Sequence, residues 1–429
     1  MRNSNLVFLV NKHLVVSVVI LFSLGISAMS QPLLSDSVPC KEKDISEILF
    51  KKKRAKQKSD KNSFMMIVPA IGSNPSMGFF FGGVMQLAFK PKGSERLSML
   101  STGIVFSTTG QTNFNGKSNL YLFNDKLFVS ADFRLARSSE STYGLGIDPK
   151  RGFSGEGGLG VNGYETNSVD SAQPLTFSNV RFNGTASYEV KDNLFFGVGL
   201  NIDQYSKIDD ISLDIPNLVL TEHFKYSTRE GFNPKTYKVN GWSLNAVYDT
   251  RDNLANAYKG VFANINWRWN PEWMGSDKNS SLLYYEFRAF HSLSEKRKRH
   301  LLGFWLLGQH LTSGTLPYLN LPAVGYDQRN RSGRAYTFGR FRGEDLFYTE
   351  GEYRFPISKC SGILGGVLFL NTTSTSDRFK GTNLFQHFQW AYGTGLRILL
   401  DKKTRTNLTI EAAFGRKSSG FYINATETF

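Results

Sequence analysis

The sequence predicts an all-β fold, a closed antiparallel transmembrane β-barrel of sixteen strands. Three observations lead there. The chain opens on an export signal, it divides from Phe64 onward into alternating segments of about ten residues, and the connections between those segments alternate between short and long.

Arg2 and Lys12 make the start positive, and Leu14 to Ile26 is apolar apart from Ser17, Ser23 and Gly25. Ala28 and Ser30 are small residues placed for cleavage before Gln31, so residues 1–30 are expected to be a signal peptide. An uncleaved anchor is the alternative, but the run is shorter than the ~20 residues a spanning helix needs. No later stretch is long and apolar enough to be one. Cleavage lowers the formal net charge from +15 by the two bases of the signal. In an exported barrel that excess of bases points to lipid headgroups at the rims rather than to nucleic acid.

Residues 31–62 are expected to form a basic periplasmic tail. Lys41 to Lys61 holds nine Lys and Arg against four Asp and Glu. Ile45, Ile48 and Leu49 give it either a short surface helix or no fixed structure. The barrel is expected over 63–429. Its strands are read at 64–72, 77–89, 97–108, 112–123, 127–138, 175–190, 194–208, 238–249, 261–271, 281–293, 301–314, 344–357, 363–377, 390–401, 405–416 and 421–429. An even number returns both ends to the periplasm, and closure leaves no unpaired edge in lipid.

With the first strand rising from the periplasm, the turns at 124–126, 191–193, 358–362 and 402–404 fall inside. The long loops 139–174, 209–237 and 315–343 fall outside, which is the asymmetry of such barrels. Alternation agrees. Leu283, Tyr285, Phe287 and Ala289 share one face, opposite Glu286 and Arg288. Ile265, Trp267 and Trp269 alternate with Asn264, Asn266 and Arg268, as Leu408, Ile410 and Phe414 do with Asn407, Thr409 and Glu411. One set faces lipid and the other a polar lumen.

No cofactor, metal or catalytic site is expected. Gly155, Gly157 and Gly160 match GxGxxG, but no strand-to-helix turn surrounds them. His310 and Ser313 point to opposite faces with no acid fixed beside them, and the other mature histidines lack metal-ligand spacing. Lys296 to Arg299 reads as a solvated or lipid-facing rim. Cys40 and Cys360, the only cysteines, both map to the oxidising periplasmic side. They are expected either to pair or to stay free on a roaming tail.

Several local patterns resemble one family. Tyr248, Asp249, Thr250, Arg251, Asp252 and Asn253, followed by Gly260, look like the Asp-Thr-Arg-Asp turn of the BamA/TamA-like surface-antigen barrels. Aspartates in such a turn accept backbone N–H groups. The family's Pro before the Gly is replaced by Tyr258 and Lys259. Arg334, Ala335, Tyr336, Gly339, Arg340, Phe341, Arg342 and Gly343, running into Glu350, Glu352, Tyr353 and Arg354, resemble the inward-folded sixth loop and the strand after it. The resemblance implies that Arg334 or Arg342 is the loop-tip arginine. Its luminal partners would be Glu350 and Glu352, beside Arg354, because an unpaired buried charge is costly. Asn371 stands where the family often has Asp. Phe421, Ile423 and the terminal Phe429 resemble the C-terminal strand signal of outer-membrane barrels. The 32 residues before the barrel cannot hold a POTRA module.

The implied function is assembly, insertion or translocation of outer-membrane or exported proteins, without enzymatic chemistry. Outer-membrane lipid, client β-barrels and complex subunits are the expected partners. The alternative is a structural, binding or pore-forming barrel working as a subunit of a larger complex.

Overall fold

Alternating residues fold as pleated strands, and the structure, a computed structural model, has sixteen long ones in a single sheet. It describes residues 43–45, 63–74, 78–108, 110–147, 160–161, 165–166, 172–295, 297, 299–358, 361–424 and 427–429. The strands are β1 Ser63–Asn74, β2 Gly78–Phe89, β3 Ser98–Ser107, β4 Thr112–Leu122, β5 Leu127–Thr142, β6 Gln173–Lys191, β7 Leu194–Asp210 and β8 Tyr237–Asp249. They continue as β9 Gly260–Asn270, β10 Ser280–Ser292, β11 Leu301–Gly314, β12 Asp345–Pro356, β13 Leu364–Thr375, β14 Gln389–Asp401, β15 Thr406–Gly415 and β16 Ser418–Asn424. Each pairs antiparallel with the next, from β1 with β2 to β15 with β16.

The expected direct closure is not made. Among the described residues β1 pairs with β2 alone. The far edge of β16 pairs instead with two short pieces of the loop between β5 and β6. Gly160–Val161 runs parallel to Tyr422 and Ile423, and Glu165–Thr166 runs antiparallel to Gly420 and Phe421.

Two strands depart from their expected ends. β5 runs on through the polar stretch Ser138–Thr142, paired with Gln173–Phe177 of β6. Backbone pairing outside lipid needs no apolar face, so alternation could not mark it. β16 ends at Asn424 rather than at the C-terminus, and Phe429 is buried instead of closing the ladder. Cys40, Cys360, Gly155, Gly157 and nearly all of the basic tail lie outside the described residues. Of that tail, Lys43 donates its N–H to the Ser361 carbonyl at 2.8 Å, and Asp44 accepts from the Lys402 N–H at 3.0 Å.

The two faces of the sheet differ as their residues dictate. On β7, Phe196, Val198 and Leu200 are exposed, while Phe195, Asn201 and Asp203 are buried. Trp242, Trp267, Trp269 and Trp273 cluster with ring centroids 5.9 to 6.4 Å apart near one end of β8 and β9, as in an interfacial aromatic girdle. The buried face is covered by loops. In the β7–β8 loop, helix α1 (Glu222–Arg229) is capped by the Thr221 hydroxyl, which accepts from the Phe224 N–H. Tyr226 of α1 donates to the Leu316 carbonyl at 2.9 Å and packs on Tyr318, so this loop and the β11–β12 loop share one apolar cluster.

A second cluster centres on Trp305 of β11, which is fully buried against Tyr348 and Phe429 at 5.2 and 5.5 Å. Its indole N–H donates to Glu286 at 2.7 Å. Trp305→Ala removes the ring and leaves Glu286 short of a donor, so we expect a loss of about 3–5 kcal/mol in reversible urea unfolding from lipid vesicles. Phe304→Ala, on the exposed face, should lose much less, because acyl chains fill the space. Equal losses would count against this assignment of faces.

Candidate functional site

Strand period puts Tyr348, Glu350, Glu352 and Arg354 of β12 on the buried face, and all four are buried. The register of β13, β14 and β15 brings Asn371, Arg397 and Glu411 alongside. Into this patch the β11–β12 loop, residues 315–344, inserts Arg334. Its Nε lies 3.1 Å from Glu350, its Nη2 2.5 Å from Glu352 and its Nη1 2.9 Å from Glu411. The Phe369 ring lies beneath it, 3.5 Å from Cζ to centroid, a cation–π contact.

These contacts belong to a closed ring of alternating charge. From Arg334 it runs to Glu352, then to Arg354 at 2.6 Å, to Glu427 at 3.7 Å, to Arg397 at 3.1 Å, to Glu411 at 2.8 Å, and back to Arg334. Glu350 is a fourth carboxylate facing three guanidinium groups. Neutral donors offset the surplus negative charge. The Tyr348 hydroxyl donates to Glu350 at 2.6 Å, the Asn371 amide to Glu350 at 3.4 Å, and the Asn407 amide to Glu427 at 2.5 Å. Burial opposes the charge on Arg334, but Glu350, Glu411 and Glu352 outweigh it and hold its pKa above the ordinary arginine value.

The other motif arginines go elsewhere. Arg342 pairs with Glu140 of β5 at 2.7 Å and donates to the carbonyls of Tyr318 and Leu319 at 3.1 and 2.9 Å. Arg340 stacks on Tyr143, 4.5 Å from the ring centroid. Tyr336 donates to the Trp390 carbonyl at 2.8 Å and accepts from the Arg416 N–H at 3.0 Å. Gly339 donates its N–H to the Val324 carbonyl at 3.0 Å. Gly343 passes so close to β13 that a Cβ would sit 2.1 Å from the Ser376 carbonyl oxygen. Ala335 holds a left-handed φ of 83°, where a glycine would be unstrained, and its N–H donates to Tyr422 at 2.8 Å. Asn371 also donates to the Arg334 carbonyl, at 3.5 Å, so its amide meets the loop backbone rather than the guanidinium.

The β8–β9 connection spans 250–259, longer than a tight turn. Asp249 accepts from the Tyr121 hydroxyl at 2.5 Å and from Arg251 Nε and Nη2 at 2.9 and 2.7 Å. Asp252 accepts from the Tyr258 and Lys259 N–H groups at 2.9 and 3.3 Å. Gly260 takes φ 99° directly against the Thr250 carbonyl. The connection also reaches the charge ring, since Asn256 accepts from Arg354 at 3.3 Å. Phe421 and Ile423 stay in β16, while the Phe429 carbonyl accepts from Arg354 at 3.2 Å.

Sequence reading did not single out Arg397, Glu427 or Glu140 as partners, and noted Glu411 only as a polar-face residue. The parity of β14 and β15 could have flagged Arg397 and Glu411. Contrary to the expectation from sequence, an acid does stand beside His310. Cross-strand register sets Asp345 opposite it, with Nδ1 3.2 Å from Oδ1, and Nε2 meets the Tyr285 hydroxyl at 3.2 Å. Ser313 bonds Ser281 instead, at 2.7 Å.

Residues 121–402 match the Omp85 superfamily domain, a span that takes in the sixth loop and the β8–β9 connection. Among solved structures, BamA from Haemophilus ducreyi lacking POTRA domains 1–3 superposes with a TM-score of 0.51 at 13% identity, over 93% of this chain and 76% of that one. CdiB from Acinetobacter baumannii gives 0.49 at 13% identity, over 85% of this chain and 60% of that one. CdiB from Escherichia coli gives 0.49 at 10%, over 85% and 62%. No curated protein sequence matches the chain. The likeness to BamA is one of fold, and the domain match settles the family. The chain belongs to the Omp85 superfamily, as a BamA/TamA-like barrel of the outer membrane.

Proposed function

We propose that this protein assembles, inserts or translocates other outer-membrane or exported proteins, after export on a cleaved signal peptide formed by residues 1–30. In this reading the sixteen strands surround an inward-folded sixth loop, with residues 31–62 as a periplasmic tail. Arg334 is the loop-tip arginine, and Tyr336, Gly339, Arg340, Arg342 and Gly343 hold the loop. Glu350, Glu352, Arg354 and Asn371 are its luminal partners. Asp249, Arg251, Asp252 and Gly260 fix the turn beneath.

The observation that carries the reading is the charge ring, because it joins the sixth loop to β12, β14, β15 and the chain's last residues. Glu427 and Phe429 are drawn away from the ladder by Arg397 and Arg354, so β16 keeps only seven paired residues. A short last strand with no pairing to β1 among the described residues, its far edge held by two short loop pieces alone, is an edge that a client strand can extend by β-augmentation once those pieces are displaced. A second reading, a pore-forming or binding barrel acting as a complex subunit, draws support from one feature. A polar cavity of about 220 Å³ lies between the sixth loop and the wall, lined by Asn183, Asn201, Asn245, Asn266 and Gln328 among others.

Depletion followed by outer-membrane proteomics separates the two. Broad loss of barrel proteins is expected, and an unchanged proteome would sink the assembly reading. Arg334→Ala leaves buried carboxylates facing one another, at a cost of roughly 3–5 kcal/mol for breaking a buried pair. We expect it to lower the unfolding midpoint and reproduce the depletion phenotype. Arg334→Lys should rescue only in part, since an ammonium cannot make the forked contacts. Wild-type behaviour of Arg334→Ala would exclude the lock. At the seam, in a Cys40→Ser, Cys360→Ser background, Val161→Cys and Ile423→Cys should join through a short thiol crosslinker. Joining of Ile423→Cys to cysteines along β1 instead would mean that the seam closes directly.

A further inference from the structure

The charge of the protein is unevenly placed. The seven connections on the short-turn side, 90–97, 123–126, 192–193, 250–259, 293–300, 357–363 and 402–405, carry fourteen Lys and Arg against five Asp and Glu. The eight connections on the other side are far longer in total, yet carry fifteen against twelve. The protein's excess of positive charge is therefore concentrated at one end of the barrel. By the rule that short turns face the periplasm, it is the periplasmic end.

Part of this charge is spent internally. Arg251 pairs with Asp249, Arg405 with Asp252, and Arg299 donates to Asn407. Lys90, Lys92, Lys126, Lys191, Lys259 and Lys403 are exposed. They stand at five of the seven short-turn connections, between the end of β2 and the start of β15, so they are spread as a collar rather than gathered in a patch. Large apolar side chains at the same strand ends are exposed beside them: Phe123 at 75%, Val190 at 60% and Tyr188 at 55%, with Tyr248 and Ile357 further round. An ammonium on a long stem next to an outward-facing apolar group is the arrangement that sits at a headgroup layer. A protein partner docking from below would need one sector, whereas lipid meets the whole circumference.

We propose that the periplasmic rim is a docking collar for anionic phospholipid of the periplasmic leaflet, with the six lysines contacting headgroup phosphates. The test uses the full mature chain in nanodiscs of equal phosphatidylcholine and phosphatidylglycerol, with protein-bound lipid read by native mass spectrometry. Phosphatidylglycerol should be enriched about two- to threefold over bulk, and raised salt should reduce the enrichment. Changing all six lysines to Gln should return bulk composition, while Lys225→Gln, Lys235→Gln, Arg378→Gln, Lys380→Gln, Arg416→Gln and Lys417→Gln together, on the opposite side, should leave the enrichment intact. If the six-lysine variant does not fold, the salt titration of the unaltered protein decides. No enrichment, enrichment insensitive to salt, or enrichment that persists in the folded six-lysine variant overturns the proposal. So does lysine-dependent capture of an acidic protein with lipid at bulk composition.

Discussion

A guanidinium group cannot be buried alone, and that constraint organises the inside of this barrel. Taking Arg334 out of water costs several kcal/mol, which only close carboxylates and further hydrogen bonds offset. The structure answers with three carboxylates from two strands and an aromatic ring beneath. Those carboxylates repel one another, so they need Arg354 and Arg397, and these in turn need Glu427. Each added charge is the solution to the one before, until the series closes on itself. The ring therefore fixes more than a loop. It sets the mutual positions of β12, β14 and β15 and takes the chain terminus out of the sheet.

What alternation could reveal was the strands. Fourteen of the sixteen begin and end within two residues of where the residues alone put them, because a lipid-facing side chain at every second position leaves no other register. The two exceptions share a cause. The end of β5, Ser138 to Thr142, is paired beyond the apolar zone, and Glu427 to Phe429 are buried rather than laddered. Neither follows a hydrophobic pattern, so neither could be read from one.

The site was legible by halves. Parity alone gathers Tyr348, Glu350, Glu352 and Arg354 on one face, and a loop rich in Arg and Gly beside them asks for an acid. That Arg334 takes the carboxylates and Arg342 turns to Glu140 is a matter of loop path, to which strand parity is silent. Asn371 shows the limit from the other side. Standing where the family often has an acceptor-only Asp, it donates to the Arg334 carbonyl and to Glu350. An amide can reverse its role where a carboxylate cannot.

The burial of the final residues also has a meaning in time. Glu427 follows both of its partners in the chain, and it bridges Arg354 and Arg397. A chain that emerges N-terminus first delivers this bridge after both arginines. Until it arrives, two arginines already folded into the interior lack their common partner, and the ring stays open. Completion of the interior therefore waits on the segment after β16, so that a polypeptide lacking Glu427 is missing a keystone rather than a loose end.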